Sequence, residues 1–227
     1  MTVPAIHSIV AAGGEGTRFG GETPKQLVRV LGRSILDWSI GRLVERTERV
    51  VVALPERLLD DCPSSFRDHP RVAWVAGGQS RWRSVRRALE ASRAGSGDLV
   101  AVHDGARPAV DATDLDALFE AARAAGAAIL GRPVADTVKR VEGDRVVGTV
   151  DRRPLFRAET PQVFRREVLE RALEAAAVQG AEPTDEAAAV ERLGDVDIVA
   201  VSARAPNPKV TTGADLELVR LLLERSS

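Results

Sequence analysis

Apolar positions follow two rhythms along this chain. Short unbroken runs at Ile6 to Val10, Val50 to Leu54, Val72 to Val75, Leu99 to His103, Ala127 to Leu130 and Val196 to Val201 read as buried strands. Between them the apolar residues fall three and four apart. Ile35, Leu36, Ile40, Leu43 and Val44 mark a helix over 35–45 behind Ser34 as a possible N-cap, and further helices are predicted over 81–93, 115–125, 165–178, 185–193 and 214–224. Strands that are continuously apolar are buried on both faces. Alternating with helices, they predict an α/β fold built on a mostly parallel sheet covered on both sides.

The rhythm breaks between Pro133 and Pro154. Residues 137–141 and 145–150, joined by Glu142-Gly143-Asp144, interleave polar and apolar positions as a hairpin does. A two-stranded ribbon is not stable alone, so this β-arm, at about 133–154, is expected to pack on the domain or on a second copy of the chain. The chain has 227 residues, enough for one core, and the expectation is a single domain over 1–227 that carries the arm as an elaboration.

Charge and cysteine content narrow the function classes. A formal net charge of −1 gives no electrostatic reason to expect nucleic acid or an anionic membrane as partner. No apolar run approaches the length of a membrane span and no secretory h-region opens the chain, so a cytoplasmic enzyme of small molecules is expected. Cys62 is the only cysteine, which excludes an internal disulfide and a multi-cysteine metal site. Lysine stands only at 25, 139 and 209 among 32 basic residues. A compact ammonium and a planar guanidinium are not interchangeable around phosphate, so these three positions are candidates for chemistry.

The richest stretch is the loop after the first strand, Ala11 to Gln26, reading AAGGEGTRFGGETPKQ. Glycines let backbone N–H groups turn and approach a ligand closely, and Arg18 and Lys25 add positive charge, so the loop can cradle phosphates. A P-loop would need Ser or Thr after Lys25, where Gln26 stands. A dinucleotide fingerprint would need Gly at Phe19 and an acidic residue ending the next strand, which instead runs out as Leu54-Pro55. What is left is G-x-G-x-R followed by Pro-Lys, which resembles the signature loop of nucleotidyltransferases that activate sugars and polyols.

Two further motifs follow strands. His103-Asp104-Gly105-Ala106-Arg107-Pro108 lies at the C-terminal end of a strand, where open α/β sheets collect ligand groups. Asp104 there can hold a Mg²⁺ that bridges phosphates, or cap the strand-to-helix turn, with His103 supporting that turn. Gly77-Gly78-Gln79-Ser80-Arg81, with Ser84 one turn on, can read a pyrimidine edge; a glycine C-cap followed by a serine N-cap accounts for the same letters.

Taken in order, AAGGEGTRFGGETPKQ, GGQSRWRSV, HDGARP, DTVKR, TVDR, ETPQ, TDEA and NPKVTT resemble the 2-C-methyl-D-erythritol 4-phosphate cytidylyltransferase family over essentially the whole chain. The resemblance implies a Rossmann-like nucleotidyltransferase fold, a homodimer joined by the β-arm, CTP as co-substrate and Mg²⁺ as the metal. Carried over by position, it implies that Ala11, Ala12, Gly13, Gly14, Gly16, Gly77, Gly78 and Ser84 bind the nucleotide, and that Arg18, Lys25 and Lys209 are catalytic. Asp104 would take the metal. Arg107, Thr160 and Thr184 would line the acceptor side, with Thr137 and Arg152 coming from the partner's arm. Pro208, Gly213 and Gly105 depart from the family's usual letters, and Lys139 receives no role.

The implied reaction is attack by the acceptor's 4-phosphate on the α-phosphorus of CTP, with loss of pyrophosphate. A ribitol 5-phosphate cytidylyltransferase is the nearest alternative, with the same donor and another acceptor. A silent nucleotide-binding regulatory module is the alternative from a different class, and the joint presence of Arg18, Lys25, Asp104 and Lys209 speaks against it.

Overall fold

The structure, a computed structural model, describes residues 3–14, 24–60 and 62–225. Arg18 and Gly16 therefore lie outside the described residues. The strands are β1 (Ile6–Ala11), β2 (Arg29–Val30), β3 (Arg33–Ser34), β4 (Arg49–Leu54), β5 (Val72–Ala76), β6 (Leu99–Asp104), β7 (Ala127–Pro133), β8 (Val138–Glu142), β9 (Arg145–Val150), β10 (Phe156–Arg165) and β11 (Val199–Ser202). The helices are α1 (Ile35–Val44), α2 (Arg81–Ala91), α3 (Ala112–Ala125), α4 (Arg166–Val178), α5 (Glu186–Glu191) and α6 (Ala214–Arg225).

Seven strands form one sheet in the order β11-β7-β10-β6-β1-β4-β5, and every neighbouring pair is parallel except the two that involve β10. The expected α/β architecture with a mostly parallel sheet is therefore what the chain adopts. Side chains of a strand alternate between faces, and the core divides accordingly. Val10, Val52 and Leu54 pack under α1 and α3 with Leu36, Ile40, Leu115 and Leu118. Ile9, Val51 and Val102 pack on the other face under α2 and α4 with Val85, Leu89, Leu169 and Leu173.

Local chemistry fixes the helix ends. Ser34 Oγ accepts from Asp37 N at 3.0 Å, confirming the cap, and Asp111 caps α3 through Thr113 and Asp114. Gly126, at φ +86°, ends α3 in the left-handed region that glycine enters without steric cost.

Two expectations need correcting. The apolar pattern predicts no strand over 156–165, yet β10 lies in the middle of the sheet, antiparallel to both neighbours. Pro161 interrupts its pattern, and proline argues against a central strand because it cannot donate to the ladder. The chain accommodates it where the pairing of β10 with β7 shifts register, between Ala158 and Gln162. The last strand, expected over 196–201, forms only at 199–202, along the edge of the sheet.

The arm is a separate two-stranded sheet of β8 and β9, as the alternation implied. Val141 and Val146 face each other across it and both are exposed, with Val147 beside them. Lys139 Nζ donates to Thr149 Oγ1 at 2.7 Å across the same ribbon.

Candidate active site

Strands β1, β4, β5 and β6 are parallel neighbours, so the segments that follow them leave the same edge of the sheet. There they enclose a cleft of about 800 Å³. Ala11, Ala12, Gly13 and Gly14 from β1 and its loop, Gly77, Gly78 and Ser84 around the start of α2, Asp104, Lys25 and Lys209 all line it. Positions scattered from 11 to 209 in the sequence thus meet in one cavity.

The wall after β5 is built on Ser84. Its Oγ accepts from Gly78 N at 2.9 Å and donates to the Ser80 carbonyl at 3.0 Å. A Cβ added to Gly78 would lie 2.5 Å from the Arg83 Cβ, so the turn tolerates no side chain there. Gly13 and Gly14 serve differently from expectation. Neither takes a positive φ, and a Cβ on Gly14 would meet nothing within 4 Å among the described residues, so what glycine supplies there is backbone facing the cavity. Ser80 precedes α2 but makes no side-chain cap bond; its buried Oγ has no partner among the described residues. Gly105 is tighter than a small-for-small exchange suggests, since a Cβ there would lie 3.0 Å from Ala12 Cβ and 3.2 Å from Leu36 Cδ1.

Asp104 is the electrostatic hub. Lys209 Nζ donates to Oδ2 at 2.8 Å, Arg81 Nε donates to Oδ1 at 3.2 Å, and Arg107 Nε stands 3.5 Å from Oδ2. Burial alone would raise the carboxyl pKa, but Arg81 first and then Lys209 and Arg107 hold it well below the usual carboxylate range. Arg81 is fixed from its other end. Its Nη1 donates at 2.6 Å to both oxygens of Glu186, a fully buried carboxylate whose pKa burial pushes upward. Glu186 sits in α5, whose cap Asp185 and backbone both bind Gln162 of β10.

Behind Asp104, Thr160 Oγ1 accepts from Asp104 N at 3.0 Å and lies 3.1 Å from His103 Nδ1. With its lone pair turned to that amide, the hydroxyl gives its proton to Nδ1, so the imidazole hydrogen sits on Nε2 and points to the Arg107 carbonyl 3.0 Å away. Burial lowers the His103 pKa to about 4, which keeps it neutral. His103 supports the turn, as the sequence implied.

Lys25 reaches the same region from a short 3₁₀ turn, Lys25–Leu27, and donates to the Val210 carbonyl at 3.3 Å. The remaining candidates are dispersed. Arg107 and Lys209 line an adjoining cleft of about 450 Å³. Thr160 is buried behind Asp104 and lines neither cleft, Thr184 is exposed and lines neither, and Thr137 and Arg152 belong to the arm region. Sequence reasoning missed Arg81, Glu186 and Gln26, the last of which donates from Nε2 to the Ala12 carbonyl at 3.1 Å. The only signal for Arg81 was its place directly after Gly-Gly-Gln-Ser at a helix start.

The donor set does not suit a metal held by the protein alone. Among the described residues no three His, Cys, Asp or Glu side chains converge on one point, and Asp104 is already surrounded by cations. It does fit a Mg²⁺ carried in on a triphosphate, since that ion takes one carboxylate, phosphate oxygens and water.

Comparison with known proteins identifies the family. The family model described as IspD, 2-C-methyl-D-erythritol 4-phosphate cytidylyltransferase, matches residues 6–225. The protein of that name from Aeromonas hydrophila is 42% identical over 99% of this chain and 92% of its own length. Among solved structures, the Francisella tularensis 2-C-methyl-D-erythritol 4-phosphate cytidylyltransferase superposes with a TM-score of 0.83 at 30% identity, covering 96% of this chain and 99% of that one. The enzyme of the same name from Thermus thermophilus gives 0.81 at 32% identity, covering 96% and 98%. This chain belongs to the 2-C-methyl-D-erythritol 4-phosphate cytidylyltransferase family.

Proposed function

We propose that this chain transfers CMP from CTP to 2-C-methyl-D-erythritol 4-phosphate, forming 4-diphosphocytidyl-2-C-methyl-D-erythritol and pyrophosphate for isoprenoid biosynthesis. One observation carries the reading: two of the chain's three lysines, Lys25 and Lys209, and the carboxylate of Asp104 line one cleft with an open glycine loop and a wall built on Ser84.

In this reading the Gly77–Gly78–Ser84 wall faces the cytosine, where backbone groups can read its polar edge. The backbone of Ala11 to Gly14 approaches the phosphates, and Lys25 and Arg18 stabilise charge on the α-phosphate and the leaving group. A phosphate oxygen of the acceptor forms the new bond to the α-phosphorus while the bond to the bridging oxygen breaks and its electron pair leaves with pyrophosphate. The attacking phosphate is already ionised at neutral pH, so no side chain need remove a proton. Catalysis then comes from positioning and charge compensation. Lys209, shared by both clefts, holds the two anions together. Mg²⁺, when bound with the nucleotide, supplies further charge neutralisation on the phosphates.

Thr137 and Arg152 act from the partner's arm in a homodimer, which accounts for their absence from either cleft and for the exposed valines of the arm. Such a ribbon needs something to pack against. With both substrates small soluble anions, the enzyme works as one domain in the cytoplasm and needs neither nucleic acid nor membrane.

The deciding experiment is pyrophosphate release with Mg²⁺ and CTP, comparing methylerythritol 4-phosphate, D-ribitol 5-phosphate and no acceptor, with UTP, ATP and GTP as donor controls. Release with CTP and methylerythritol phosphate alone is expected. Preference for ribitol phosphate would replace the acceptor. Silence of a folded sample with every pair would leave a regulatory module in place of an enzyme.

A further inference from the structure

Lys209 stands on a segment without regular structure. The last sheet-side bond before it runs from Ala203 N to the Gly131 carbonyl at 2.8 Å, just beyond the end of β11 at Ser202, and α6 begins only at Ala214. β11 is itself an edge strand, paired with β7 alone. Connections of this kind move more than the elements they join, yet a cation that must meet the Asp104 carboxylate at 2.8 Å tolerates little movement.

The segment is held by a carboxylate from another element. Asp114, 2% exposed in the first turn of α3, accepts from Arg204 N at 2.9 Å and from Ala205 N at 3.1 Å. An acidic side chain in a first turn ordinarily serves its own helix, whose leading amides lack partners. Here Asp111 already accepts from Thr113 N and Asp114 N, and the Asp114 carboxylate goes to the loop instead. Between this clamp and Lys209 the chain reads Ala205-Pro206-Asn207-Pro208, and each proline fixes its φ at about −65°. Pro208 is one of the positions where this chain departs from the family's usual letters. Asn207 is pinned between them: its carbonyl accepts from Arg107 Nη1 at 2.7 Å, and its Nδ2 donates to the Thr160 carbonyl at 2.8 Å. A run with fixed φ angles passes a displacement at one end on to the other instead of absorbing it.

We propose that Asp114 is a positioning residue for Lys209: its carboxylate and the two prolines make residues 204–208 a stiff strut that sets where the ammonium stands. This inference rests on the cytidylyltransferase reading, in which Lys209 holds the two anions together, and adds the part of the fold that places it.

The test follows kcat, the KM for CTP and the thermal melt in Asp114→Ala, Asp114→Asn and the double variant Pro206→Gly/Pro208→Gly, each made also on Lys209→Ala. Asp114→Ala should lower kcat about tenfold with the KM for CTP within about threefold, because the Gly77–Gly78–Ser84 wall is carried by β5 and α2 and not by this segment. Asp114→Asn keeps an acceptor oxygen and should recover turnover to within about threefold of the parent. The double-glycine variant keeps the hydrogen bonds of the segment and frees its backbone, so it should lower kcat about threefold or more, and it decides the matter where Asp114→Ala does not fold. On Lys209→Ala none of these changes should cost more than about a further twofold, since the group they position is gone, whereas a purely structural loss would act equally in both backgrounds. Unchanged kcat in folded Asp114→Ala or in the double-glycine variant, or the same factor lost with and without Lys209, overturns the proposal while the cytidylyltransferase reading stands. A folded parent enzyme that releases no pyrophosphate with either polyol phosphate overturns both.

Discussion

Lys209 Nζ lies 2.8 Å from Asp104 Oδ2 although 105 residues separate them in the chain. With Arg81 on the other carboxylate oxygen, the pair sets the charge at the head of the cleft before any ligand arrives. A triphosphate entering this cleft meets cations already held in place, so little reorganisation is needed during reaction.

Lys25→Ala should lower kcat by about two to three decades, comparable to losing one preorganised donor to a developing negative charge. Lys25 is half-buried on a short turn and donates to a backbone carbonyl, that of Val210, so the variant should stay folded. Pyrophosphate release and a thermal melt on the same sample check this. Unchanged turnover in a folded variant removes Lys25 from the machinery.

Glu186→Ala leaves Arg81 without its buried partner and should destabilise the protein by about 3 to 5 kcal/mol in urea unfolding. Replacing Arg81 and Glu186 together with Met should recover most of that stability. Activity should stay low in the double variant, because Asp104 has then lost the guanidinium on Oδ1. A fully active double variant would show that the Arg81–Glu186 pair serves the fold alone.

His103 gives a pH signature. Its pKa falls from 6.5 to about 4 through burial, so between these values the unfolded chain binds a proton that the folded one refuses. Stability should therefore decrease as pH is lowered through this window, by about 3 kcal/mol in all from this residue. Equilibrium unfolding at a series of pH values checks it against His103→Gln, which does not titrate and should show a shallower decline. Equal slopes in parent and variant would contradict the assignment.

In the proposed homodimer Arg152→Ala should raise the acceptor KM, and mixing it with Lys25→Ala subunits should restore part of the activity, since a hybrid would keep one intact pairing of arm and cleft. Verified heterodimers with no recovered turnover would count against a shared site.

Much of the scaffold could be read from the order of residues. Continuous apolar runs located β1, β4, β5, β6 and β7, and three-four spacing located the six α-helices of the described residues, with ends displaced by a few residues at Ala112, Ala91 and Glu191. The loop motifs picked out residues that meet in one cleft, because glycine, lysine and aspartate after a strand carry their chemistry in their identity. β10 was invisible: Pro161 breaks its period, and only pairing with two neighbours distant in sequence makes it a strand.

The sequence by itself determined that most of the apolar runs would form buried strands, which loops would carry the glycines and cations, and that the arm would be a ribbon, since these depend on backbone preference and side-chain chemistry within a few positions. Tertiary structure alone decided that Arg81 would be clamped between Glu186 and Asp104, that Thr160 would stand behind Asp104 instead of lining a cleft, and that Glu159 would be buried between two opposed arginines. Each of these joins residues whose encounter depends on strand order and register. Local patterns do not encode that order, because it emerges from packing both faces of the sheet at once.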